Sequence, residues 1–319
     1  MMRFLLRRIG FAFLVLWIVA TGVFALYFVA PNNVARTIAG RQASEQTVAL
    51  VRARLGLDQP IGTQYVRFLG RLAHGDFGES FVNSEPVNDI IARDIPVTAS
   101  LAIGGALLWL LIGVTSGMLA ATRPRSVADR VVTGFSLIFY SMPTFLLGEL
   151  LLLFLFFRLT MAGYPIFPPS GYIALSESPG EWARHLILPW VTIALVTAAA
   201  YSRLTRAAML DVLGEDYIRT ARSKGISERR VTYRHGLRAA VAPLLTTLGM
   251  DVGGLLGGAV LVEQVFGLPG LGKETVQAIT TQDLPVIMAT AILAAAAVVV
   301  ANLVVDLGYA LVDPRVRVE

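Results

Sequence analysis

The run Gly267-Leu268-Pro269-Gly270-Leu271-Gly272-Lys273 comes close to the glycine-rich turn that cradles nucleotide phosphates. Such a turn needs a Ser or Thr after the lysine to hold Mg²⁺, and a strand before it. Glu274 stands in that place, and its charge repels phosphate. No strand pattern precedes the run, so nucleotide binding by this chain is rejected. The better reading is a re-entrant or interfacial turn, since irregular backbone at membrane depth is tolerated only against protein or a water-filled cavity. Metal chemistry finds no support either. There are no cysteines, and the three histidines (His74, His185 and His235) lie far apart, with no pair at helical ligand spacing. No Ser/His, paired-Asp or His/Glu signature falls inside the apolar runs. The chain is expected to be non-catalytic, with no metal or cofactor of its own.

Two kinds of candidate remain. Asp251, Asp306 and Glu149 put carboxylates inside apolar runs, where a charge is costly and invites a functional reading. The segment Glu215-Asp216-Tyr217-Ile218-Arg219-Thr220-Ala221-Arg222-Ser223-Lys224-Gly225-Ile226 is polar, helix-prone and flanked by apolar runs. A polar segment in a chain otherwise suited to lipid is made to be gripped from the water.

The elements that position these residues are membrane helices. Of 319 residues, 55% are hydrophobic and 15% charged, against roughly 25% charged in a soluble domain. Crossing a hydrocarbon core takes about 20 apolar residues. Six runs qualify, near 9–30, 97–121, 131–157, 186–209, 238–262 and 286–312. The first starts like a signal peptide, with Arg3, Arg7 and Arg8, but its apolar stretch is too long and no small-residue cleavage site follows, so it reads as a retained helix.

Basic residues near span ends set the orientation. They crowd the N-terminus, the 122–130 loop (Arg123, Arg125, Arg130), the 202–238 stretch and the tail (Arg315, Arg317). The alternate loops 159–185 and 263–285 hold only Arg184 and Lys273. Both termini and the 214–236 loop are therefore expected in the cytoplasm, and the 31–96 segment outside. The net charge of +5 fits cytoplasmic loops and lipid headgroups rather than nucleic acid. The organisation expected is an N-terminal membrane helix (1–30), an extracytoplasmic segment (31–96), a five-helix core (97–312) carrying the 214–236 loop, and a cytoplasmic tail (313–319).

The 31–96 segment has a helical period around Val48, Leu50, Val51 and Leu55, and an amphipathic stretch through Tyr65, Phe68, Leu69 and Leu72. It is either a lid on the external helix ends or a docking surface for a partner, and the two are compatible. In the polar loop, a helix is expected over about 214–223. Gly225 supplies the left-handed residue that ends it, and Ser227 caps a second short helix. Tyr217 and Ala221, one turn apart, are expected to form with Ile226 an apolar knob inside a collar of Arg219, Arg222 and Lys224. The knob suits a groove in an acidic-rimmed partner. The alternative is a basic loop lying on anionic lipid.

The stretch Tyr217 to Gly225 resembles the ATPase-contacting loop of ABC importer membrane subunits of the dipeptide/oligopeptide kind. Leu55-Gly56-Leu57-Asp58-Gln59-Pro60, Gly75-Asp76-Phe77-Gly78, Phe266 to Gly272, and the tail Asn302-Leu303-Val304-Val305-Asp306 with Asp313-Pro314-Arg315 resemble further segments of that family, in family order. Broader ABC importers open the loop with Glu-Ala-Ala, where this chain has Arg219, Thr220 and Ala221; the departure matches the peptide subclass. The resemblance implies an all-α integral membrane subunit of the type I importer kind, with six membrane helices and an extracytoplasmic segment between the first two. It implies a coupling helix gripped by a cytoplasmic ABC ATPase, with ATP and Mg²⁺ held there. It implies a second, homologous permease subunit and an extracytoplasmic binding protein that delivers short peptides. Nickel chelates, oligosaccharides or haem are the alternative substrates. An ion-coupled secondary transporter is the rival of another class, and it lacks the inverted halves it would need.

Asp251, near the middle of the fifth span, reads either as a pathway group for a peptide's amino end or as a structural carboxylate bonded to a neighbouring helix. Asp306 reads as an anchor, and Glu149 is left open. Gly249, Gly253 and Gly257 recur at every fourth residue of the fifth span, as a helix-packing ridge or a surface along the translocation path. Gly113 and Gly117 read as packing, Pro143 as a kink in the third span, and Pro243 as setting the entry angle of the fifth.

Overall fold

The computed structural model describes residues 2–29, 34–39, 42–54, 56–168, 170–256 and 259–312. Leu55, Gly257, Gly258 and the tail 313–319 lie outside the described residues, and with them parts of the expected ridge and tail motifs. Regular structure among the described residues is helical, apart from one bridge between Glu79 and Pro86. Six helices are long and apolar enough to cross a membrane: Arg7–Phe28, Val87–Thr122, Thr144–Met161, Pro179–Leu213, Glu228–Leu256 and Leu284–Gly308.

Helix α1 (Met2–Phe24) runs on through a π-helical turn, Ala25–Val29. Three shorter helices follow: α2 (Val34–Ala39), α3 (Glu45–Arg54) and α4 (Ile61–Ala73). Helix α5 (Val87–Thr122) begins well before the apolar run at 97, because one side of its first turns, with Val87, Ile90, Ile91 and Asp94, is buried against the protein, while Asp89 stays exposed. Val87 and Ile90 there are buried with Val286 and Ala289.

The third span differs from the expectation. Residues 131–157 do not form one kinked helix. Helix α6 (Val127–Tyr140) stops at Ser141, and α7 (Thr144–Leu151) starts anew with Pro143 at its N-cap position. Proline lacks the amide hydrogen and pushes the residue before it out of the helical region, so the chain breaks rather than bends. Helix α7 then passes through the π-helical stretch Leu152–Arg158 into α8 (Leu159–Met161).

Helix α9 (Pro179–Leu213) is capped by Ser178, whose hydroxyl accepts from the Glu181 amide. It packs along α5 in the most extensive helix pair of the fold. Small residues on α5 set the close approach. A Cβ at Gly104 would stand 2.1 Å from the Trp190 ring, and one at Gly117 would stand 2.4 Å from the Ser202 carbonyl. These pairings advance together along both helices, so α5 and α9 run parallel. Trp109, Leu101, Leu186 and Tyr201 fill the seam between them.

Helix α10 (Asp216–Ser223) follows α9 after a sharp corner. The expected second loop helix is not separate. Helix α11 (Glu228–Arg230) continues through a π-helical stretch, Val231–Leu237, into α12 (Arg238–Leu256), the fifth span. Ser227 holds the N-cap position, but its hydroxyl makes no capping bond; its carbonyl accepts from Val231 N instead.

Helices α13 (Val260–Val265) and α14 (Leu271–Thr281) precede the last span, α15 (Leu284–Val312). Helix α15 lies antiparallel to α12: a Cβ at Gly249 would meet Asn302 Oδ1 at 2.7 Å, and one at Gly253 would meet Val298 Cα at 2.7 Å. Helix α1 closes the other side of α15, through Ala20, Phe24 and Met288 and an Arg8–Asp306 ion pair at 2.9 Å.

Candidate functional site

Helix α10 has two faces of different chemistry. Ile218 and Ala221 are buried against Val231, with Val212, Leu213 and Ile226 around them. The expected knob of Tyr217, Ala221 and Ile226 therefore does not form. Ala221 is 7% exposed and Tyr217 is 47% exposed. Around the helix Ala221 lies between Tyr217 and Ile218, and the larger aliphatic Ile218, fully buried, decides which side turns inward. The outward surface is polar, made by Glu215, Asp216, Arg219, Thr220, Arg222, Ser223, Lys224 and Gly225, with Tyr217 as its one large ring. Burial of part of that ring, then the Glu215 charge, push the Tyr217 phenol above its ordinary value.

The loop is braced at both ends. Gly225 is left-handed (φ +75), and nothing lies within 4 Å of where a Cβ would stand. Its N–H donates to the Arg222 carbonyl at 2.9 Å, and Ile226 N donates to Ala221 O at 3.3 Å. The glycine is needed for its backbone conformation alone. Arg222 reaches across the corner to Glu228 with two bonds, at 2.7 and 3.3 Å. Gly236 packs tightly on Met209: a Cβ there would be 3.2 Å from its methyl group. Movement of α10 is thus tied to the end of α9 and the start of the fifth span.

At the same end of the bundle, Arg206 of α9 donates Nε and a terminal nitrogen to the two oxygens of Asp129, at 2.7 and 3.0 Å. The Asp129 carboxylate also accepts from Arg125 N at 2.9 Å. The Arg206 bonds, then that amide, hold the Asp129 carboxyl down to about 2. This clamp fastens the start of α6 to the helix that leads into α10. Sequence reasoning missed it. Arg206 served only as one basic residue among many, and the partners lie 77 residues apart with no local pattern to link them.

At the other end, the glycine-rich run 266–272 does hold an anion, but the anion is the chain's own. Glu263 is completely buried. Its Oε1 accepts from the Thr98 hydroxyl at 2.8 Å, and its Oε2 accepts from Lys273 N at 2.8 Å. The Thr98 oxygen in turn accepts from Leu271 N at 2.9 Å. A Cβ at Gly270 would stand 2.5 Å from the carboxylate. The Glu263 carboxylate thus lies at the N-terminus of α14, the place where such turns hold phosphate. Desolvation pushes its carboxyl up, and the amide and hydroxyl bonds pull against that. The turn is pinned to α5 through Thr98, and to the stretch before α9 by Gly171 N donating to Phe266 O.

The carboxylates within the spans separate. Asp251 accepts from the Tyr201 hydroxyl at 2.9 Å, across the seam between α12 and α9, and stays partly exposed. Asp306, 17% exposed on its side chain, pairs with Arg8. Glu149 is exposed on α7 and makes no ion pair among the described residues. Gly249 and Gly253 press on α15, so α12–α15 packing occupies the ridge they form.

Residues 113–318 match the family described as binding-protein-dependent transport system inner membrane component, and residues 1–102 match its N-terminal companion. The di/tripeptide transport system permease protein DppB of Pseudomonas aeruginosa is 38% identical over 335 residues, covering 99% of each chain. The glutathione transport system permease protein GsiC of Salmonella paratyphi A is 38% identical over 317 residues, covering 99% of each. Among solved structures, an inward-facing MetNI methionine ABC transporter is similar with a TM-score of 0.52 at 18% identity, over 70% of this chain and 96% of that one. That likeness bears on the fold alone. The family match along nearly the whole length shows that this chain belongs to the binding-protein-dependent transport system inner membrane components, as a permease subunit of the dipeptide/oligopeptide ABC importer kind.

Proposed function

We propose that the chain forms half of a pathway for short peptides, driven by ATP hydrolysis on partner subunits and fed by an extracytoplasmic binding protein. The peptide assignment rests on the di/tripeptide and glutathione permeases that it resembles. In this reading both termini and α10 lie in the cytoplasm, ATP and Mg²⁺ stay on the ATPases, and residues Glu215 to Ile226 form the surface that those ATPases grip.

The observation that carries the reading is the two-faced α10. Its inward face, Ile218 and Ala221, is welded to Val231 and the end of α9. Its outward face offers Tyr217 and charged groups. A lever needs both: a grip for the engine and a stiff joint to the load. When two ATPases close, α10 would carry α9 and the start of α12 with it. Asp251, bonded to Tyr201 on the joint between those helices, would meet the peptide's amino end. Glu149, exposed in a membrane span where lipid would make a charge costly, would face the second permease subunit or the water-filled path.

The test is peptide uptake by the reconstituted full transporter, with ATP hydrolysis measured in parallel. Tyr217→Ala is expected to leave the chain folded, keep hydrolysis and lose uptake. A cysteine crosslink from Thr220→Cys is expected to reach the ATPase. Uptake that survives removal of the ATPase, or a crosslink that never forms while Tyr217→Ala transports normally, would sink the reading. Asp251→Asn is expected to shift preference between cationic and neutral peptides; an unchanged preference removes Asp251 from the pathway.

A further inference from the structure

A cavity of about 630 Å³ opens between the 42–86 segment and the ends of two spans. Its size falls within the range of small-ligand sites, roughly 300–1,000 Å³. The floor is apolar: Phe28 from the end of the first span, Phe68 from α4, and Met288 and Ile292 from α15. The lining also holds the exposed charged residues Arg67, Arg71, Asp76 and Glu79.

The arginines sit one helical turn apart on α4, the spacing that brings two side chains together. Both are exposed, and among the described residues neither takes part in an ion pair. The backbone leaves room for them. A Cβ at Gly56 would stand 2.8 Å from an Arg67 terminal nitrogen, and one at Gly78 would be 3.5 Å from an Arg71 terminal nitrogen. Asp76 Oδ1 accepts from Gly78 N at 2.8 Å, which leaves its second oxygen available.

Depth narrows the ligand class. Leu284 marks the start of the last span, and the cavity reaches down it to Ile292, roughly 12 Å at the helical rise per residue. With the start of that span at the membrane surface, the charged residues would stand at headgroup level and the apolar floor at the depth of the acyl chains. Two guanidiniums favour a phosphate, two carboxylates favour an amine, and the floor takes hydrocarbon. We propose that this cavity binds an aminophospholipid of the adjoining leaflet, its phosphate on Arg67 and Arg71, its amine toward Asp76 and Glu79, and the upper part of one chain along Phe28, Phe68 and Met288. The site depends on the membrane spans, not on the assignment of peptide as substrate.

Native mass spectrometry of the delipidated full chain, with phosphatidylethanolamine or phosphatidylglycerol added back, tests it. The unaltered chain is expected to retain phosphatidylethanolamine in preference to phosphatidylglycerol. Arg67→Ala with Arg71→Ala is expected to weaken retention by about tenfold or more, the scale of lost charged hydrogen bonds. Arg52→Ala, on the same segment but away from the cavity, is expected to change nothing. Met288→Trp, which fills the floor and leaves both arginines, is expected to lose the lipid too. Equal retention by the double alanine variant overturns the site, and so does equal binding of the two lipids. Displacement of the lipid by inorganic phosphate or by a neutral dipeptide also overturns it, since either assigns the cavity to a free solute.

Discussion

Two glycine-bearing corners stand at opposite ends of α9, and they use glycine for opposite reasons. At Gly225 the backbone is left-handed and the space around it empty. At Gly270 and Gly272 the crowding decides: both sit against the Glu263 carboxylate, at 2.5 and 3.0 Å from a would-be Cβ. The first corner presents polar groups to the outside and is held by a small apolar patch on one side. The second is buried and built around a fixed negative charge. A corner proposed as a grip for another protein needs surface and a stiff backbone. A corner that shapes the inside of a membrane protein needs every polar group satisfied from within.

Substitutions at either corner separate the two roles of glycine. The largest effect is expected from Glu263→Ala, which strands the Lys273 amide and the Thr98 hydroxyl in a dry site. About 3 kcal/mol of stability should be lost, read as a fall in the unfolding midpoint in detergent; a loss below about 1 kcal/mol would mean the charge is not what holds the turn. Ala221→Glu comes next, because it buries a carboxylate beside Ile218 and Val231. It should loosen α10 and so lose both ATPase binding and uptake, whereas Tyr217→Ala loses uptake with α10 intact. Should limited proteolysis fail to distinguish the two variants, the inward placement of Ala221 would be wrong.

Two smaller effects sharpen the contrast between the corners. Gly270→Ala should cost about 2 kcal/mol through overpacking, and Gly225→Ala about 1 kcal/mol through the left-handed backbone alone. Equal losses, measured by thermal unfolding, would erase the distinction between crowding and conformation. The smallest effect concerns the Asp129–Arg206 clamp. The folded-state value near 2 lies below an unfolded value of about 4. The clamp therefore contributes fully above about pH 4 and fades as pH falls through about 2. Asp129→Asn should be less stable than the unaltered chain at neutral pH, with the gap closing on acidification. A gap that holds constant down to pH 2 would show that the clamp's charge contributes nothing.

Legibility followed locality. The left-handed role of Gly225 could be read because a helix stop is written in adjacent residues. The six spans could be read because lipid demands long apolar runs, although the start of α5 at Val87 could not: its first turns are mixed in polarity, and only their apolar side, Val87, Ile90 and Ile91, is covered by α14 and α15. The break at Pro143 was signalled by the proline, but whether it bends or ends a helix depends on what packs around it. Glu263 gave no signal beyond its nearness to a glycine-rich run, since its partner Thr98 lies 165 residues away. The inward turn of Ala221 was equally hidden, because two faces of a short amphipathic helix compete and only the neighbouring Val231 selects between them.

By itself, the order of residues determined the helical class, the number of spans and the family motifs, because hydrophobic length and glycine spacing act locally. Only the tertiary structure decided which polar groups meet. Glu263 came to Thr98, Asp129 to Arg206, Asp251 to Tyr201, and two arginines came to the lining of one cavity. Such meetings depend on how the helices pack against one another. A buried charge is stable only where that packing delivers its partners.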